Sequence, residues 1–157
     1  MTLINLQLTI RLIKDEDFSQ WSVLWEGYNH FYGRSGANRL PNEITNMTWS
    51  RFFKDDEPMY ALVAESEGQL IGIAHYLFHR STNMIAPTCY LQDLFTVETL
   101  RGKGIGTALI NAVGEQAKLK GSSRVYWQTH ESNQTAIKLY EKVAERSGFL
   151  IFRKQII

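Results

Sequence analysis

Apolar and polar residues first alternate over Leu6 to Ile13, where Leu6, Leu8, Ile10 and Leu12 interleave with Gln7, Thr9 and Arg11. A period of two predicts a half-buried strand. The period then lengthens: Phe18, Trp21, Trp25, Tyr28 and Tyr32 recur at spacings of three and four. That pattern predicts a helix with one aromatic face turned to the core. Asp15 stands at its capping position, with further acids in the first turn. The far end of the face, Tyr28 to Tyr32, is the part placed to reach a site. Gly33 to Pro41 is a loop by composition. A second helix is expected over Asn42 to Lys54, carrying Ile44, Met47, Trp49 and Phe52, and Asp55-Asp56-Glu57-Pro58 ends it as a solvated turn.

Two apolar runs, Tyr60 to Ser66 and Gln69 to Phe78, form a hairpin through Glu67-Gly68. His75 and His79 share a face of its second strand with Ile73 and Leu77. A strand offers this pair no third ligand, so both are read as structural or rim histidines and no metal is expected. Ser81 to Thr88 reads as a polar connection, and Cys89 to Val97 as a strand. The helix that follows, to about Lys120, buries Ile105, Leu109, Val113 and Ala117, and Ala108 and Ala112 suit close approach to a sheet. A strand over Ser123 to Thr129, a helix from Asn133 to Ala144 and a strand from Gly148 to Gln155 complete the pattern. The order predicts one α/β domain over residues 1–157, with a mixed, mostly antiparallel central sheet and helices on both faces.

Composition narrows the function only by exclusion. A hydrophobic share of 44% and a charged share of 21% are those of an ordinary globular protein. A formal net charge of +1 gives no reason to expect nucleic acid or a membrane surface as a partner. Cys89 is the single cysteine, so no internal disulfide framework is possible. The first ten residues do not read as a signal peptide, and no apolar run approaches the roughly 20 residues of a spanning helix. The expected location is cytoplasmic.

Candidate chemistry concentrates in Leu100-Arg101-Gly102-Lys103-Gly104-Ile105-Gly106-Thr107, between a strand and a helix. Alternate glycines bare the backbone, and a helix N-terminus adds unpaired N–H donors and a positive dipole end. A pyrophosphate fits such a site. The dinucleotide fingerprint does not: the glycines fall at 102, 104 and 106, and the next strand ends without a clean ribose-binding acid.

The run from Arg101 to Gly106 resembles the Arg/Gln-x-x-Gly-x-Gly/Ala signature of the Gcn5-related N-acetyltransferases, which bind acetyl-CoA. The likeness extends to Asp93-Leu94-Phe95-Thr96-Val97 before it and to the element order of nearly the whole chain. A second block, Val125 to Asn133 leading into Ala136 and Leu139-Tyr140, resembles the fungal Hpa-type enzymes, associated with histone and polyamine acetylation. The resemblance implies that the amides of Gly102, Lys103, Gly104, Ile105, Gly106 and Thr107 hold the pyrophosphate, with Arg101 leading in. It implies that the pantetheine arm pairs like a strand with the backbone of Leu94, Phe95 and Val97. Asn133 and Ala136 would meet that arm, with Ser132 free to cap the helix in place of Asn133. Tyr140 would protonate the departing thiolate.

Direct acetyl transfer requires the attacking amine, whose pKa is near 10.4 in water, to lose its proton. Asp93 is the candidate base: by alternation it falls with Leu91, Phe95 and Val97 on an apolar face, where desolvation favours the neutral acid. Glu98 and Glu26 are reserves acting through water. Glu26, Tyr28 and Tyr32 are candidate acceptor contacts. The expected function is an N-acetyltransferase acting on a polyamine, a lysine side chain or another small amine, working as a homodimer or higher oligomer. The competing expectation is an acyl-CoA-binding sensor without turnover.

Overall fold

The computed structural model describes residues 7–157, so Leu6 of the first predicted strand lies outside the described residues. The chain divides into two compact units, residues 1–127 and residues 128–157.

In the first unit, β1 (Thr9–Leu12), β2 (Met59–Ser66), β3 (Gln69–Ser81), β4 (Met84–Thr96) and β5 (Val125–Tyr126) lie side by side in chain order. β1 to β4 pair antiparallel, and β5 joins β4 in parallel. The parallel step is made by helix α3 (Ile105–Leu119), as a crossover requires. Helices α1 (Phe18–Phe31) and α2 (Asn42–Arg51) connect β1 to β2. The expected mixed, mostly antiparallel sheet is present.

The predicted connection over 81–88 is instead strand. β3 and β4 are each 13 residues long and turn through Thr82-Asn83, with Ser81 paired to Met84. Hairpin turns favour Asn, and two residues suffice.

The aromatic face of α1 is core at its middle. Trp21, Leu24, Trp25 and Tyr28 are buried with Val63, Leu70 and Ile73, whereas Phe18 and Tyr32 at the ends are exposed. Trp49 and Phe52 of the α2 region pack onto this cluster, while Ile44 and Met47 face outward. On the other face, α3 buries Ile105, Leu109, Val113 and Ala117 as the spacing predicts. Gly72 of β3 sets that approach: a Cβ there would lie 3.1 Å from Leu109 Cδ1 and 3.2 Å from Ile105 Cγ2.

Asp15 is not the helix cap. Asp15 to Asp17 form a 3₁₀ turn, and Asp17 is the buried member, accepting from Arg11 Nη1 at 2.7 Å, Nη2 at 2.9 Å and the Lys14 amide at 2.8 Å. This pins β1 to the start of α1. The Arg11 guanidinium holds the Asp17 carboxyl below the usual carboxylate range. A lowered folded pKa stabilises the fold above the unfolded value, and that contribution is lost as pH falls below about 4. Asp17→Asn is expected to cost about 1.5–3 kcal/mol at neutral pH. The deficit should vanish in acid; urea midpoints at pH 7 and below pH 4 check both, and a loss independent of pH would count against the ion pair.

In the second unit, α4 spans Gln134–Val143. No strand forms over 148–155; the segment is exposed, with Phe149, Leu150, Ile151 and Phe152 all solvent-facing. Its apolar composition suits a strand, but a strand is stable only when paired, and this unit by itself supplies no partner. The predicted strand over 123–129 is likewise only Val125–Tyr126.

Candidate active site

β4 passes from the core to the glycine loop, and one irregularity decides what it presents. His75 pairs with Asp93 while the next residue, Tyr76, pairs with Leu91, so Gln92 is an extra residue bulged out of β4. Paired residues point to the same face. Leu91 therefore joins Tyr76 on the α3 side, and Asp93 joins His75 on the α1 side with Phe95. Simple alternation put Leu91 and Asp93 together; the bulge separates them.

The Asp93 carboxylate, 9% exposed, accepts from His75 Nδ1 at 2.9 Å. On the far side of the ring, Trp21 Nε1 donates to His75 Nε2 at 2.9 Å. An indole nitrogen can only donate, so Nε2 must accept and the ring proton sits on Nδ1. Trp21 thereby selects the tautomer that donates to Asp93. The Tyr28 hydroxyl also bonds to Asp93; burial first, then the charge of Asp93 and this bond, hold the phenol far above its ordinary pKa. Trp21, His75, Asp93 and Tyr28 form one buried polar chain. Two accepted bonds leave Asp93 lone pairs for a further N–H.

His75 is thus the structural histidine of the expected pair, with the added role of orienting Asp93. It packs against Trp21, Trp25 and Phe52, and nothing in its local pattern marks a partner 18 residues away. His79 is at the rim, bonded to the Tyr126 hydroxyl at 2.7 Å.

Beyond Tyr90, β5 no longer pairs with β4, so among the described residues no strand covers the outer edge of Leu94 to Thr96. That edge can accept an added strand. Phe95 is cushioned by Gly27, where a Cβ would come within 2.9 Å of its ring. Val97 turns its amide inward to the Ile71 carbonyl at 3.0 Å.

The loop has the geometry its glycines require. Gly102 and Gly104 adopt φ of 78° and 82°, which a side chain would strain. Gly104 caps α3 without any side-chain hydrogen bond. Backbone bonding begins at Ala108, which donates to the Gly104 carbonyl at 3.0 Å, and no carbonyl among the described residues takes the amides of 102–107. These are unpaired donors at a positive helix end. The Ile105 side chain is core, so that residue offers only its amide, and Lys103 is exposed. Arg101 donates from Nε to the Thr96 carbonyl at 3.2 Å and lies 5.5 Å from the Phe31 and Phe95 rings.

Glu26 is exposed; two residues from Tyr28, it is turned about 200° around α1 and is not brought to the Asp93 cluster. Glu98 is exposed in a short 3₁₀ turn.

In the second unit, Asn133 rather than Ser132 caps α4, accepting from the Ala136 amide at 3.4 Å, while its Nδ2 donates to Thr129 Oγ1 at 3.3 Å. Ser132 is engaged with His130 Nδ1 at 2.6 Å. Tyr140 follows Asn133 by seven residues, about 10.5 Å along the helix and on the same face.

Residues 18–144, which contain the loop of free amides, the open strand edge and the bulge, are matched by the family model described as Acetyltransferase (GNAT) family. The chain belongs to the GNAT acetyltransferase family. It is 31% identical to the D-amino-acid N-acetyltransferase HPA3 of Saccharomyces cerevisiae over 154 residues, 97% of this chain and 93% of the yeast protein. It is 36% identical to the thialysine N-epsilon-acetyltransferase of Mus musculus over 95 residues, 57% of this chain and 55% of the mouse protein. The aminoglycoside N-acetyltransferase AAC(6')-Iy, solved with CoA, shares its fold with a TM-score of 0.82 at 19% identity, covering 99% of each chain. As a GNAT member the chain is an acetyl-CoA-dependent N-acetyltransferase.

Proposed function

We propose that this GNAT enzyme moves the acetyl group directly from acetyl-CoA to a primary amine held in the same complex. The acceptor class spans polyamines, lysine side chains and other small amines; the yeast and mouse relatives are named for amino-acid amines. The observation that carries this reading is the buried Trp21–His75–Asp93 chain, which aims an oriented carboxylate from the strand that leads to the anion loop. A module that only held acyl-CoA has no use for it.

Asp93 takes the amine proton, the freed nitrogen attacks the thioester carbonyl, and the C–S bond breaks as the amide forms. A strand N–H near Phe95 polarises the carbonyl oxygen, and Tyr140 returns a proton to the thiolate. The pyrophosphate lies on the amides of 102–107, and the pantetheine arm adds to β4. An acyl-cysteine route is disfavoured, because burial pushes the Cys89 thiol up to about 12. A lone buried thiol also suits the cytoplasm.

The family match runs through both compact units, which supports their acting as one transferase domain. The exposed apolar segment from Phe149 to Phe152 supports self-association as a homodimer or higher oligomer; light scattering that finds a monomer at every concentration would rule this out. For the reaction itself, thiol release from acetyl-CoA should depend on added amine. CoA binding without amine-dependent release would favour the sensor reading.

A further inference from the structure

The loop after α1 holds a guanidinium whose surroundings engage it through one N–H only. Asn29, 4% exposed, donates Nδ2 to the Trp25 carbonyl at 2.8 Å, which fixes the amide so that Oδ1 faces Arg34. Arg34 Nε donates to that oxygen at 2.6 Å, and the Arg34 amide donates to the Asn29 carbonyl at 2.8 Å. The guanidinium lies 5.7 Å from the centre of the Tyr28 ring and 5.5 Å from that of Tyr32. Side chain and backbone are therefore both anchored. Of the five N–H donors on a guanidinium only one is spent, and among the described residues no carboxylate pairs with Arg34. The four remaining donors form the planar fork that matches a carboxylate.

Tyr28 bonds to Asp93 and packs under Arg34, so its hydroxyl feels both charges: Asp93 disfavours ionisation and Arg34 favours it. An anionic and a cationic group thus flank one buried tyrosine. A zwitterion fits that order, with its ammonium at Asp93 and its carboxylate at Arg34. A polyamine does not, since its second cation would meet the guanidinium.

We propose that Arg34 reads the carboxylate of the acceptor, and that the preferred acceptor is a free amino acid rather than a polyamine. This rests on the acceptor amine being delivered to Asp93.

Matched pairs test it: phenylalanine against phenethylamine, and ornithine against putrescine, with kcat/KM followed by thiol release. The parent enzyme should favour each amino acid about tenfold or more. Arg34→Met, which keeps the stem against the tyrosines, should lower that preference about tenfold or more, chiefly through KM of the amino acid, with Arg34→Lys between. Comparing preferences between parent and variant cancels the intrinsic reactivity of the two amines. A parent preference at or below one overturns the proposal without needing any variant to fold, as does a preference that Arg34→Met leaves in place. Thiol release with no amine at all would overturn the direct-transfer reading beneath it, and this proposal with it.

Discussion

Replacing Asp93 by Asn is expected to lower kcat about 10²- to 10⁴-fold, the range supplied by a positioned general base. The shape is conserved. Asparagine can still accept from His75 Nδ1 through Oδ1, and its NH₂ can donate to the Tyr28 oxygen, so the buried chain stays satisfied. What is lost is the lone pair that takes the amine proton. An amine with pKa near 10.4 is almost wholly protonated at neutral pH, so the loss falls on the chemical step. Acetyl-CoA affinity should change little, because the amides proposed to hold the pyrophosphate lie beyond the end of β4. Steady-state rates together with CoA binding by calorimetry make the check. A kcat within about threefold of the parent would remove Asp93 as the base.

How much of this could be read from the sequence depends on the range of the interaction. The anion loop was legible because its chemistry is backbone: Gly102 and Gly104 sit where the chain needs positive φ, and both are visible as letters. The four-residue stripe of α3 was legible for the same local reason. The bulge at Gln92 was not, because register is settled between strands and a bulge leaves no mark in composition. That one residue moved Leu91 away from Asp93. His75 was hidden by distance, since its partner Trp21 lies 54 residues earlier. In sequence Arg34 is only part of a loop by composition, although Asn29, five residues back, and the rings of Tyr28 and Tyr32 organise it. The missing closing strand failed on the opposite ground: Phe149 to Phe152 have the right composition and no strand to pair with in their unit.

Tyr140→Phe carries the second large effect, a fall in kcat of about 10²-fold with CoA affinity kept within about twofold. The smaller size follows from the leaving group. A thiol with pKa near 8.5 departs as a fairly stable thiolate, whereas a phenol near 10 is a weaker acid than the thiol it serves. The proton is therefore worth less here than its removal from the amine. The change deletes one oxygen from α4 and leaves the Asn133 cap intact. With the proposed roles of base and acid in one transfer, Asp93→Asn should lose less in the Tyr140→Phe background than in the parent. An unaltered kcat would take the acid role away from Tyr140 and leave it a packing residue.

Central to the account is transfer within one complex, with no acetyl group parked on the protein. Initial rates measured across acetyl-CoA concentrations at several fixed concentrations of a productive amine test this most directly. Intersecting double-reciprocal lines, with no thiol burst when amine is withheld, are the predicted result. Parallel lines accompanied by a stoichiometric burst of thiol from acetyl-CoA alone would contradict it.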